Sequence, residues 1–499
     1  MLLEVEVHTS LRAYLREHSE MNWPHYLTMA RLIARTLRLG RSTLIQTGTE
    51  VKRYSISYLI PALLSREAVL LVLPEAWQQQ YLEREIPQLQ KWLKTDKTVI
   101  KGDKWFNYAG FSGLIVTSPQ LWLSDRLHNQ GLFPSSVPTL IDQGGDLETW
   151  ARQQLTFNLT PQDWWQQQQR SPSQQGAIAT LRMDITQKLY QNPVNPYNCY
   201  ALDQMIQEQL QAICANLEAD ASLSPAFACF WHQWQQPEQI LWASLDRSTG
   251  KFQLYLAPNS VAESLSRVWL QQPIVIMDRF LDKEVDASLY RAALGLESLL
   301  CLHFRPDRQS QSIQLYSPDR FPFPNTPQFQ PALLRELSYL VNLAIRTHRG
   351  VVILVEDVPL KAQVAANLAA EFGSRVQLET VDVFNPSILV SGWEFWRSYQ
   401  NQFSPPHLLI IATLPLPSLE NPVVASQVTY YKQKRLDWFR CYLLPTALRE
   451  MQKAIAPVRD SQGMLVILDN RVNYRSYGND ILQALEPCDR INRPSVIDF

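Results

Sequence analysis

Glycine is scarce in this chain, with 16 among 499 residues, roughly half the usual share of about 7%. Loops that cradle phosphates depend on glycine, because their backbone N–H groups approach the ligand closely in conformations that other residues resist. The shortage therefore counts against such loops. The six cysteines, Cys199, Cys214, Cys229, Cys301, Cys441 and Cys488, form no CxxC pair, which points to reduced, mostly buried thiols and away from zinc sites and disulfides. The eight histidines make no HExxH motif, so metal catalysis has no support. No apolar run reaches about 18 residues, and the opening MLLEVEVHTS lacks the charge pattern of a signal peptide. The expectation is a soluble, cytoplasmic protein without a membrane partner. Neither sign of charge dominates: the net charge is −1 and the pI about 6.7. No global positive field draws nucleic acid to the chain, and any such binding must use a local groove.

What is present is a globular composition, 46% apolar and 19% charged, with 15 tryptophans. A chain this long predicts two or three domains. Tyr26, Ala30, Ile33 and Leu37 recur at helical spacing, and Gly40 supplies a stop before the apolar TLI. Helical ISYLIPALL, the buried strand AVLLVLP, the helix WQQQYLEREIPQLQKWL, the strand GLIVTS and a strand ending at Asp142 follow. From about residue 150 the pattern turns to glutamine-rich helices without strand signals. IVIM then resumes the first series, and the strands GVVILV, RVQLE, SILVS, LLIIAT and MLVILD form a second. Continuous apolar strands alternating with helices indicate parallel sheets covered on both faces. The expected fold is α/β, with two RecA-like parallel-sheet domains in tandem and a helical, arch-like insertion in the first. The division is 1–150 with 250–305, 151–249 for the insertion, and 306–499.

These segments, over about residues 24 to 490, resemble in order and spacing the DinG/XPD-like branch of the superfamily 2 ATP-dependent DNA helicases. LTMARLIARTLRLGRSTLIQTGT is similar to the helix and strand before that family's ATP-binding loop, and YLIPALL to the helix after it. IVTSPQLWLSD is similar to the segment upstream of the DEAH box, and APNSVAESLSRVWLQQPIVIMD to the approach to the SAT motif. GWEFW, IATLPLPSLENPVV and LLPTALREMQKAIAPVR parallel segments of the second helicase domain.

The resemblance implies an ATP site, and motif by motif the chemistry departs from it. The phosphate loop aligns with QTGTEVKRYS, where Gly48, Thr49 and Ser55 are the candidate nucleotide contacts. The family's lysine falls on Arg53 or on Tyr54, according to the flank used for alignment, and Lys52 sits too early for the role. At the DEAH position Asp142 remains, Gln143 replaces the general base and Gly145 the histidine. A glutamine positions water but cannot take its proton. Met277, Asp278 and Arg279 stand where the family has SAT; Arg397 and Gln400 replace two acids beside Phe395 and Trp396. In the arginine-finger helix Gln452 and Arg459 persist, Ala456 replaces the first arginine, and Pro457 is expected to disrupt the helix. Alone, Asp142 reads as a loop or cap residue and Arg459 as a surface charge. In register with the other segments, Asp142, Gln143, Gln452 and Arg459 are vestigial catalytic residues. Residues 62 to 141 hold no cysteine, so the iron–sulfur cluster of many family members is not expected. No cofactor is expected, with ATP and magnesium bound weakly at most.

The function that follows is a helicase-like protein without ATPase activity that retains binding to single-stranded DNA or to a protein. Candidate nucleic-acid contacts are Lys432, Lys434, Arg435 and Trp396, the last also readable as core. Further basic runs are Arg31, Arg35 and Arg38, and KWLKTDKTVIKGDKW. Trp164, Trp165, Trp231 and Trp234 form a candidate protein-binding surface. The alternatives are a divergent but active helicase and a structural protein with no nucleic acid.

Overall fold

A computed structural model describes every residue of the chain except 1, 19–20, 22, 49–53, 104–109, 297–298, 306–311, 347–349, 382–387 and 496–499. Runs of leucine, isoleucine and valine become short, fully buried strands because helices cover both faces of the sheets they form. In chain order these are β1 (Thr43–Gln46), β2 (Val69–Val72), β3 (Val99–Lys101), β4 (Leu114–Thr117) and β5 (Thr139–Asp142). Next come β6 (Phe157–Leu159), β7 (Cys199–Ala201), β8 (Gln239–Asp246) and β9 (Lys251–Pro258), then β10 (Ile274–Asp278) and β11 (Leu300–His303). The second half holds β12 (Ile313–Tyr316), β13 (Val351–Leu354), β14 (Val376–Leu378), β15 (Ile388–Ser391), β16 (Leu408–Ile411), β17 (Met464–Ile467) and β18 (Cys488–Ile491).

Two seven-stranded sheets result, in the orders β11-β1-β10-β5-β2-β4-β3 and β14-β15-β13-β16-β17-β12-β18. Every neighbouring pair in both is parallel. Met29, Ile33, Tyr58 and Leu59 pack on one face of the first sheet, and Trp122, Leu147, Leu265 and Tyr290 on the other. In the second unit Trp396, Leu448 and Ile455 cover one face, while Leu333, Leu340 and Leu368 cover the other. The helix Tyr26–Leu39 ends where its spacing predicts, at Gly40, whose φ of 61° places it in the left-handed region.

The insertion differs from a purely helical one. Its helices Pro161–Arg170, Gln175–Gln191, Gln204–Ala219 and Pro225–Trp234 pack on a four-stranded antiparallel sheet, ordered β6-β9-β8-β7. Residues 251–258 pair with this sheet, and the first parallel sheet resumes only at Ile274. The signal was present: QILWASLD and KFQLYLAP bury alternate residues, joined through Gly250 at φ 67°, which is the period-2 pattern of a hairpin. Among the described residues no helix is long and apolar enough to cross a membrane.

Candidate functional site

The carboxyl ends of β11, β1, β10 and β5 lie side by side, and in open parallel sheets this edge is where ligands bind. Asp142, the last residue of β5, is wholly buried. Both of its oxygens are occupied. The Tyr54 hydroxyl donates to Oδ1 and the Tyr58 hydroxyl to Oδ2 at 2.7 Å, while the Gln143 backbone N–H donates to Oδ1 at 2.8 Å. Tyr58 is in turn 3.1 Å from the Tyr81 hydroxyl. Tyr54 and Tyr58 reach one carboxylate because residues four apart share a helix face. Burial pushes the Asp142 carboxyl up to about 6, against the opposing effect of the two phenols. Burial also raises the Tyr54 and Tyr58 phenols well above their ordinary value, with the Asp142 charge adding to it. Tyr81 is raised in the same direction by its burial. All three tyrosines therefore stay protonated donors at neutral pH.

Gln143 turns the chain away from Asp142 with φ 56°, and its amide nitrogen is buried without a partner among the described residues. Gly144 and Gly145 follow for steric reasons. A Cβ on Gly144 would lie 2.4 Å from Ile276 Cγ2, and one on Gly145 2.6 Å from Asp278 Oδ2. Asp278 accepts from the Gly145 N–H at 2.7 Å and the Arg279 N–H at 2.6 Å. The aspartate at the SAT position thus ties down the turn that replaces the DEAH histidine. Asp146, next in the chain, meets Lys453 of the second unit, Nζ to Oδ1 at 2.6 Å. Burial works to raise the Asp146 carboxyl, but the Lys453 ammonium brings it below its ordinary value.

On the facing wall, the helix Leu444–Asp460 runs through Pro457 without a break, contrary to the expected disruption. Pro457 forfeits one N–H hydrogen bond, and the helix ends three residues later at Asp460. Arg459 is fully buried, and its guanidinium donates to the carbonyls of Pro487, at 2.9 Å, and Leu485. It props the turn before β18 and does not line the cleft. Gln452 does line it and donates to the Ala484 carbonyl. Arg397, in place of a family acid, pairs with Glu450 at 3.2 Å. Between the units lies a cavity of about 660 Å³ that includes Gly48 and Gln452. Ser55 is buried at the head of the helix Ile56–Leu64; Thr49, Lys52 and Arg53 lie outside the described residues.

Trp396 is core, correcting its reading as a base-stacking ring. It is wholly buried, and its indole donates to the Ala454 carbonyl at 3.0 Å. Lys432, Lys434 and Arg435 are exposed at the end of the helix Pro422–Gln433. Lys432 sits over the Trp438 ring at 5.1 Å, and Lys434 over Tyr430 while reaching Glu238 of the insertion at 3.5 Å. Trp164 is buried core, whereas Trp165 is 58% exposed; Trp231 donates to Glu218 at 2.8 Å and packs on Trp234. The four tryptophans are thus not one surface. Sequence reasoning missed Tyr58, Tyr81 and Lys453, and it noted Asp278 only as a departure from the SAT motif. Only the spacing of Tyr54 and Tyr58 was a usable signal for them.

A family model described as "Helicase C-terminal domain" matches residues 395–488. An ATP-dependent DNA helicase, YoaA of Escherichia coli K12, is 24% identical over 279 residues, covering 51% of this chain and 42% of that one. YoaA of Haemophilus influenzae is 23% identical over 249 residues, covering 44% and 38%. The chain is thus similar to helicases of the DinG/XPD-like type. Its match spans about two fifths of the length of those curated relatives. In fold, the chain matches the structure of S. tokodaii Xpd4 with a TM-score of 0.61 at 13% identity, over 94% of this chain and 100% of the other. A structure titled XPD helicase gives 0.60 at 12% identity, over 93% and 99%.

Proposed function

We propose that this chain is a helicase-fold protein that does not hydrolyse ATP and works by holding single-stranded nucleic acid. The observation that supports the loss of turnover is the pair of phenols on Asp142. A magnesium ion at this carboxylate would have to displace the hydrogen bonds of Tyr54 and Tyr58 from a site closed to solvent. The residues therefore do not fit a magnesium-bound triphosphate. Gln143 offers no base, and Arg459 is committed to backbone carbonyls. With residues 62–141 free of cysteine, the reading includes no iron–sulfur cluster.

Purified protein is expected to show no ATP turnover above background, with or without single-stranded DNA. Gln143→Glu is expected to stay at background as well, because it restores one group and leaves the carboxylate covered and the finger absent; one missing finger alone costs roughly 10³ to 10⁵ in rate. Steady turnover that Asp142→Ala abolishes would refute the reading.

The nucleic-acid half rests on relatives named DNA helicases and on the exposed Lys432 and Arg435. Fluorescence anisotropy with a labelled single strand, without ATP, should show binding that weakens steeply with salt. Lys432→Glu and Arg435→Glu each take a cation away from the phosphates, and each should reduce the slope of log K against log salt by about 0.7. Absence of binding at about 50 mM salt would favour a protein partner, with exposed Trp165 the first residue to replace.

A further inference from the structure

We propose that a groove on the insertion, lined by no residue of the two parallel-sheet units, binds a small aryl carboxylate, a flat apolar body carrying one negative charge. Three elements of the insertion form it. Trp164 and Gln168, four apart, share one face of the helix Pro161–Arg170, and Ala179, Arg182, Met183 and Thr186 recur at helical spacing along Gln175–Gln191. The turn between β8 and β9 contributes Lys251 and Phe252. The cavity between them holds about 600 Å³, within the range of roughly 300 to 1,000 Å³ typical of small-molecule sites.

Its apolar part is aromatic and fixed. Trp164 is 1% exposed and meets Phe227 and Phe252 edge-on, with ring centroids 5.0 and 5.8 Å away. Met183, by contrast, is 64% exposed. An unbranched thioether at the rim can fold over an aromatic ligand, and sulfur packs favourably at a ring edge.

The polar part lacks an acceptor. The Arg182 guanidinium donates through Nη1 to Gln168 Oε1 at 2.9 Å, which ties the two helices together, but its Nε is buried without a partner. The Trp164 indole N–H is a second buried donor without one. A buried donor left unpaired costs free energy that an arriving oxygen returns. Arg182 and Lys251 are the cations of the lining, no carboxylate lines it, and neither cation is in an ion pair among the described residues. Asp246, across the hairpin from Lys251, is committed to the Ser248 and Thr249 hydroxyls of its own turn. One half-buried guanidinium and one exposed ammonium suit a single negative charge, and a planar carboxylate matches the guanidinium fork.

Calorimetric titration of the full chain with sodium 2-naphthoate tests this. Saturable binding is expected, weakened roughly tenfold by Arg182→Met, which keeps the apolar stem and removes the charge. Trp164→Phe keeps an aromatic floor, removes the N–H, and should weaken binding about fivefold; should that core variant fail to fold, Arg182→Met at its half-buried position still decides. Lys188→Gln, on the same helix but paired with Asp203 at 3.3 Å, is the control and should leave the affinity as it was. The neutral 2-naphthamide should bind roughly tenfold more weakly than the carboxylate. No saturable binding up to about 1 mM probe, an affinity indifferent to Arg182→Met, or equal affinity for the amide overturns the site. Binding of an acetylated Asp-Phe-Asp peptide in place of the naphthoate overturns it too, and assigns the groove to a polypeptide.

Discussion

Arg459→Ala is expected to destabilise the second parallel-sheet unit by about 3 to 5 kcal/mol, the range for removing a large buried side chain together with its charge-assisted hydrogen bonds. A spare catalytic arginine would show the opposite, since removing a cleft-facing charge with no structural partner leaves stability nearly unchanged. Here the guanidinium is wholly enclosed and spans the carbonyls of Leu485 and Pro487. Truncation opens a cavity beneath the turn that leads into β18, and it leaves the buried Leu485 carbonyl and the half-buried Pro487 carbonyl without their donor. Because β18 pairs with β12 at the sheet edge, the loss should spread to that strand first. Thermal denaturation followed by fluorescence of Trp393 and Trp396, both in the same core cluster, should show an earlier transition for this unit. Arg459→Lys should recover part of the loss by keeping one donor. An unchanged melting temperature for Arg459→Ala would mean that the arginine is not a structural prop.

The contrast between Arg459 and Asp142 shows how far the sequence could be read. Strand runs such as LLIIAT and MLVILD are legible because continuous apolar stretches are what a doubly covered parallel strand requires. The helix ending at Gly40 carried its own stop signal. Short strands of three residues, such as β6 and β7, are below the length at which alternation can be recognised. The insertion's sheet therefore went unseen even though β8 and β9 alternate. The resemblance to a family aligns Asp142 and Arg459 with that family's ATP-site motifs, but it is silent about which way each side chain bonds. Arg459 bonds backward into its own unit, and Asp142 bonds to Tyr58 of the helix Ile56–Leu64 and to Tyr54 just before it. The pairing of Asp146 with Lys453 joins residues far apart in the chain, and neither carries a local pattern that announces it.

The clearest solution test of the sealed carboxylate is the pH dependence of stability. In the folded protein burial holds Asp142 at about 6, above its ordinary 3.8, so the native state binds its proton more tightly than the unfolded chain. Stability therefore falls as pH rises from about 4 to about 6, because the slope follows the excess of protons bound by the unfolded state, which is negative here. The gap corresponds to roughly 3 kcal/mol, fully felt above the folded value and relieved below the unfolded one. Asp278 is a second buried carboxyl that burial raises in the same direction, so the wild-type profile alone mixes the two. Asp142→Asn separates them. The variant still offers an oxygen to a tyrosine hydroxyl but carries no titrating proton. Its stability relative to wild type, from urea midpoints of the first unit, should improve by up to about 3 kcal/mol between pH 4 and pH 7. A carboxylate poised for magnesium would give the reverse: the metal favours the ionised form, so added magnesium would stabilise the wild type at pH 7 and leave the asparagine variant behind. Tyr54→Phe should move the profile further the same way as burial does, since it removes a donor that favours the charged carboxyl. A difference between wild type and Asp142→Asn that stays flat from pH 4 to 7 would mean that Asp142 is not a buried, phenol-held acid, and the main support for a silent ATP site would be gone.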